Sequence, residues 1–154
     1  FNCGVGLNEE DLDLNIMVDS SSSTFNSINK NSNYYKKKNK IITFFSNNKN
    51  ILENTQKISV VNLSKIIQEN AINKIDVLKI DTEGFEYNIL KGIKETDYSK
   101  IRYIYFEHHY DLMIKKGYNF SDINNLLNKN KFKKIFKIKM KLRKSFEYIY
   151  EKKI

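Results

Sequence analysis

Two groups of titratable side chains stand out in this chain of 154 residues. Asp81, Glu83 and Glu86 fall within six positions, and Glu107, His108 and His109 are consecutive. Each group follows an apolar run, Ile75–Ile80 and Ile101–Phe106, of the length and composition of a strand. In open α/β sheets ligands bind beyond the carboxyl ends of the strands. If the two strands are neighbours, both groups meet over one crevice. There Asp81 or Glu107 would serve as a general base on a hydroxyl or hold a divalent cation, and His109 would do either. Glu83 and Glu86 also have a plainer explanation, since acids in the first turn of a helix are favoured by its dipole. For His108 a structural role is the better reading, because adjacent residues at a strand end point to opposite faces.

Other chemistries lack their residues. One cysteine, Cys3, and two adjacent histidines do not make a structural zinc site. The phosphate-binding loop G-x-x-x-x-G-K-[ST], the dinucleotide fingerprint G-x-G-x-x-G and the nucleophile elbow G-x-S-x-G do not occur. A single cysteine excludes an internal disulfide and fits a reducing, cytoplasmic compartment. No apolar stretch approaches the length of a membrane span.

The elements that must position these residues follow from the hydrophobic pattern. Residues 2–7 and 12–18 read as short strands, 19–40 as a long polar loop, and Ile41–Phe45 and Ile58–Val61 as strands. A short helix is expected over Ser64–Asn70, with Ile66 and Ile67 inward. After the Ile75–Ile80 strand, Phe85, Ile89, Leu90 and Ile93 mark one face of a helix that closes near Gly92. Ser121-Asp122 starts another helix, with Ile123, Leu126 and Leu127 inward. Strands over 135–142 and 146–151, joined by a turn at Arg143-Lys144, form an antiparallel hairpin. This order predicts an α/β fold with a mostly parallel sheet, helices on its faces and a C-terminal antiparallel hairpin.

The net charge of +9 raises the question of nucleic acid. All of it lies in residues 129–154, which carry 11 basic and 2 acidic residues. Phe136, Ile138, Met140 and Leu142 alternate there with Lys137, Lys139, Lys141 and Arg143, as in a strand with an apolar inner face and a basic outer one. The other reading is a groove for phosphates or acidic headgroups. Lysine, asparagine and isoleucine, encoded by AAA, AAT and ATT, number 25, 21 and 21. That skew is the mark of an AT-rich genome, and with a single arginine in the tail no nucleic-acid partner is expected.

The run Leu78-Lys79-Ile80-Asp81-Thr82-Glu83-Gly84-Phe85-Glu86, followed by Ile89-Leu90-Lys91-Gly92, resembles the FkbM family of S-adenosylmethionine-dependent methyltransferases. That family carries a strand ending in K-I-D-x-E-G-x-E and then a helix reading x-x-L-x-G. Val61–Ile67 resembles the segment before that strand, with Ser64 where an acid is common, and Tyr103–His109 resembles the next strand, which ends in E-x-H. The resemblance implies a Rossmann-like class I sheet. It also implies methyl transfer from S-adenosylmethionine to a hydroxyl of a small-molecule or glycan acceptor, a sugar or polyketide-like alcohol. Asp81 is then the first choice on the acceptor side, followed by Glu107 and His109, with Glu83 orienting the loop. Gly4 and Gly6 would lie by the adenine. The family's first strand and its D-x-G-A-N-x-G-type loop have no counterpart here. The chain is therefore expected to be a partial methyltransferase domain that exposes a strand edge and apolar surface. The alternative is a degenerate, non-catalytic module that binds a partner through its basic hairpin.

Overall fold

The computed structural model describes residues 1–18, 22–45, 51–141 and 144–153. Two short strands, β1 (Gly4–Gly6) and β2 (Glu10–Met17), open the chain. After β3 (Ser27–Ile28) and the helix α1 (Asn33–Phe45) comes the long strand β4 (Leu52–Asn62). It pairs with β1 in parallel and with β2 antiparallel, giving the order β1-β4-β2. The helix α2 (Leu63–Glu69) follows, capped by the Asn62 side chain accepting from the Lys65 N–H.

The second sheet holds the candidate site. Strand β5 (Ile75–Ile80) leads through α3 (Glu86–Lys91) and α4 (Glu95–Tyr98) to β6 (Ile101–His109), which pairs with β5 in parallel. A short strand β7 (Ile114–Lys115) pairs with β3. Helix α5 (Phe120–Lys129) starts at a capping box made by Asn119 and Asp122, two residues before the expected start. The hairpin β8 (Phe132–Lys139) and β9 (Ser145–Lys152) completes the order β5-β6-β9-β8, with β9 antiparallel to β6.

One face of this sheet is packed. Ile104, Phe106, Tyr148 and Tyr150 are fully buried beneath Ile89, Leu90, Ile123 and Leu127 of α3 and α5. Phe120 stacks on Tyr148 at a centroid distance of 4.3 Å. Phe85 and Ile93 also face this core, so the expected inner face of the helix after β5 is the observed one. A smaller core of Met17, Tyr35, Ile51, Met113 and Ile114 lies under α1.

Several expectations change. The fold is mixed α/β, but it is not mostly parallel: among the described strands only β1–β4 and β5–β6 pair in parallel. Parallel pairing needs a crossover, and in the four-stranded sheet only β5–α3–α4–β6 supplies one. From Asn33 on, the expected loop over 19–40 and the strand at Ile41–Phe45 give way to α1, whose lysines favour helix over sheet, while residues 19–21 lie outside the described residues. Ile75–Ile80, patterned like a buried strand, is an edge strand on which Val77 is exposed. Its outer edge is unpaired among the described residues, as the sequence led us to expect.

The basic hairpin has its faces reversed. Lys134 and Lys137 lie opposite Tyr150 and Tyr148 on the helix-covered side, with Lys137 4.2 Å from the Phe146 ring centroid. Phe136 and Ile138 lie on the other, open face and are half exposed. A register shift between Lys134 and Phe136 sets this arrangement, and period-two patterning cannot register such a bulge. Leu142 and Arg143, and with them half of the expected turn, lie outside the described residues.

Candidate active site

The turn from β5 into α3 organises the site. Glu83 and Gly84 both adopt left-handed backbone, with φ of +48° and +96°. Glycine tolerates this, whereas glutamate pays for it and must be held. Three hydrogen bonds hold the turn. Thr24 Oγ1 donates to the Glu83 carbonyl at 2.9 Å. The Gly84 carbonyl accepts from Asn26 Nδ2 at 2.5 Å, with the Tyr118 hydroxyl oxygen 3.0 Å away. The Gly84 N–H donates to Glu86 Oε1 at 2.7 Å.

Glu86 is completely buried, and its Oε2 accepts from the Tyr118 hydroxyl at 2.5 Å. Burial pushes its carboxyl pKa up, opposed by the hydrogen bonds from Tyr118 and the Gly84 N–H. This carboxylate acts within the turn rather than in a cavity. His108 is buried among the rings of Tyr110, Tyr118 and Phe120. Burial first, then the nearby charges of Lys116 and His109, lowers it to about 3, so it is neutral at pH 7.

Because β5 and β6 are neighbours, Glu83 meets the end of β6. His109 Nε2 stands 3.3 Å from Glu83 Oε2 and 3.4 Å from Glu107 Oε1, and its Nδ1 stands 3.4 Å from Asp111 Oδ2. Burial alone would lower the imidazole pKa. Hydrogen bonding to Asp111 and the charges of Glu83, Glu107 and Asp111 outweigh burial and raise it. Glu107 Oε1 and His109 Nε2 are buried with no hydrogen-bond partner among the described residues. Such a pair marks a place for a polar group from outside. His109, Glu83 and Asp111 form one wall of a cavity of about 370 Å³, and Tyr34, Lys37 and Ile41 of α1 form another.

Asp81 lies on the other side of the turn. With Thr82 it borders a second cavity of about 420 Å³, lined by Gly4, Val5, Phe25, Leu63, Leu78 and Phe85 among others. Its carboxylate is half exposed and 3.3 Å from Lys79 Nζ. Of the expected catalytic residues, then, Glu83, Glu107 and His109 come together and Asp81 is apart from them. Gly4 lines the second cavity, where a Cβ would come within 2.9 Å of the Phe25 and Val60 side chains. Gly6 packs beneath, against Val60 and Phe85. Among the described residues no group of three or more His, Cys, Asp or Glu side chains is disposed to hold a metal ion. No described helix is long and apolar enough to cross a membrane.

Sequence reasoning missed Asp111, Tyr118, Thr24 and Asn26. An H-x-D spacing at His109 and Asp111 was the only signal for the first. The other three reach the turn from distant segments, and nothing local marks them.

The structure is that of a mixed α/β domain with a buried acid–imidazole cluster at the ends of two parallel strands. The chain matches the family described as the Methyltransferase FkbM domain over residues 1–134, and it belongs to that family. It is also similar to a 31-O-demethyl-FK506 methyltransferase, FkbM, of Streptomyces tacrolimicus, with 43% identity over 51 residues. That match covers 33% of this chain and 20% of the relative's length. No solved structure matches the chain. Membership of a methyltransferase family does not favour the reading as a non-catalytic module.

Proposed function

We propose that this chain belongs to a cytoplasmic enzyme that moves a methyl group from S-adenosylmethionine to a hydroxyl oxygen of a small-molecule or glycan acceptor. The reading includes a Rossmann-like class I sheet in which β5 and β6 are two of the parallel strands, the chain supplying part of that domain. The observation that carries it is the Asp81–Gly84 turn standing between two cavities. One is a largely apolar cleft with Asp81 at its rim. The other holds the His109 cluster.

The cleft suits S-adenosylmethionine. Phe25, Leu63, Leu78 and Phe85 offer apolar surface to a flat base, Gly4 lets Phe25 and Val60 pack close against its backbone, and Asp81 offers a carboxylate to a cationic group. When bound, that cofactor supplies an electrophilic methyl group. The remaining tasks belong to this chain. The α1 wall and the β6 end hold the acceptor, and the cluster takes up the hydroxyl proton. His109 Nε2 is the acceptor atom, and Glu83 and Glu107 stabilise the imidazolium that results. An imidazole among three carboxylates is a stronger base than a free one, which suits a proton from an alcohol.

Calorimetric titration with S-adenosylmethionine, together with methyl transfer to a panel of sugars and polyketide alcohols, tests the reading. Asp81→Asn is expected to weaken cofactor binding. His109→Gln is expected to leave binding unchanged and to lower turnover roughly 10²–10⁴-fold. Failure of the unaltered protein to bind S-adenosylmethionine refutes the function. Full turnover by His109→Gln refutes the role of His109.

A further inference from the structure

Beyond the residues already placed, the segment leaving β6 returns on the site. It turns at Tyr110 so that Asp111, with only 5% of its side chain exposed, faces the imidazole of His109 from the side opposite Glu83 and Glu107. Both ends of this contact are fixed. Asp111 Oδ1 accepts from the Met113 N–H at 2.9 Å, and the His109 carbonyl accepts from Lys116 Nζ. Only Oδ2 is left for the ring, and it lies 3.4 Å from Nδ1.

We infer that Asp111 is a positioning residue: it holds His109 with the proton on Nδ1, so that Nε2 is the nitrogen that gains and loses the working proton. Both nitrogens face carboxylates, but only Nδ1 is hydrogen-bonded, to Asp111, while Nε2 has no hydrogen-bond partner among the described residues; a carboxylate only accepts, so the proton of the neutral ring sits on Nδ1. Asp111 stays ionised because the hydrogen bonds from His109 and the Met113 N–H, with Lys116 nearby, overcome the upward push of burial. Nε2 then points its lone pair at Glu83 and Glu107. That is unfavourable in the neutral ring and favourable once a proton arrives, which draws the proton to this atom. The charged and titratable groups facing the ring are Glu83 from the turn, Glu107 and His108 from β6, Asp111, Lys116 after β7, and Lys37 and Lys38 across the cavity.

The inference rests on the proposed role of His109, but its test needs neither cofactor nor acceptor. The chain has two histidines, so ¹⁵N-labelled imidazole spectra of the whole protein contain two rings, and His109→Gln assigns them. Recorded across pH, the unaltered protein is expected to show neutral His109 protonated at Nδ1, with a midpoint above that of a free imidazole. In Asp111→Asn the amide oxygen must still accept from the Met113 N–H. Its NH₂ then faces Nδ1, and the neutral ring switches its proton to Nε2. The midpoint is expected to fall by roughly 1–3 units with the lost charge. Neutral His109 protonated at Nε2 in the unaltered protein overturns the inference, whether or not the variant folds. So does an Asp111→Asn variant with the same tautomer and midpoint. Methyl transfer failing while the tautomer result holds would refute the function and leave this placement standing.

Discussion

Glu86 provides the sharpest test of how this site is built, because its carboxylate is fully buried and anchored by few groups. Oε1 receives the Gly84 N–H at 2.7 Å and Thr82 Oγ1 at 3.4 Å, and Oε2 receives the Tyr118 hydroxyl at 2.5 Å. Replacing Glu86 with Ala strands the Gly84 N–H in a dry site and leaves a void. Each buried donor without a partner costs about 1–3 kcal/mol, so with the void the loss is about 2–4 kcal/mol. Glu86→Gln is different. Its carbonyl keeps the Gly84 N–H, and its NH₂ meets the Tyr118 oxygen. The Tyr118 hydrogen turns to the Gly84 carbonyl, already 3.0 Å away. No donor is stranded, and no charge needs to be buried. The cost is expected to stay within about 1 kcal/mol of zero.

Tyr118→Phe adds the pH dependence. It removes the donor to Oε2 and leaves a buried carboxylate oxygen unpartnered, a cost of about 1.5–3 kcal/mol while Glu86 is ionised. Burial already raises the folded-state pKa of Glu86 above its unfolded value. The variant raises it further. Its penalty must therefore grow as pH rises through the folded-state values and shrink toward acid. Urea unfolding of the three variants between pH 5 and 8 reads all of this. A Glu86→Gln as costly as Glu86→Ala, or a Tyr118→Phe penalty that does not change with pH, would refute the assignment of Glu86 as the anchor of the turn.

Two further outcomes follow from single contacts. Gly92 ends α3 against β1, and a Cβ there would collide with the Gly6 carbonyl and sit 3.2 Å from Leu7 Cα. Both neighbours are backbone and cannot rotate away, so Gly92→Ala is expected to cost about 1–3 kcal/mol in urea unfolding, and a neutral result would deny the close approach. His108 stays neutral when folded down to pH about 3 but takes a proton in the unfolded chain below 6.5. It therefore removes stability as pH falls through that window, by about 3 kcal/mol at pH 4, and His108→Phe is expected to flatten this limb of the stability profile. His109, with its pKa raised, acts in the other direction, and its contribution is lost as pH climbs above 6.5.

The turn and its neighbours were legible in the sequence because their information is local. A strand ending at Ile80, a glycine at a tight turn and apolar residues recurring on one helix face predict β5, the bend and α3 without reference to the rest of the chain. Glu83, Glu107 and His109 met because one adjacency, β5 beside β6, was enough to bring them together. What failed depended on distant partners. Val77 looks like a core residue in a pattern of six, and only the sheet order shows that its strand is an edge. The alternation in β8 assigned its apolar residues inward, and the shift at Lys134/Phe136 turned them out. Thr24 and Asn26 sit in a serine- and asparagine-rich segment whose composition suggests only a loop, yet both clamp a turn nearly 60 residues away.

These clamps explain why one short turn can face two ways. A right-handed path from Ile80 into α3 would simply extend the helix, with Asp81 and Glu83 about 200° apart around its axis. Two consecutive left-handed residues reverse the chain instead. Asp81 and Thr82 are left at the apolar cleft, and Glu83 is delivered to the imidazole. A left-handed non-glycine residue costs about 1–2 kcal/mol. Here the hydrogen bonds from Thr24 and Asn26 on one side, and that from the Gly84 N–H to Glu86, itself held by Tyr118, on the other, offset that cost. In the proposed reading, separating Asp81 at the cleft from Glu83 beside His109 thus depends on residues that contact neither carboxylate. Positions that line neither of the two cavities, Tyr118 above all, are therefore as restrictive for the proposed chemistry as His109 itself.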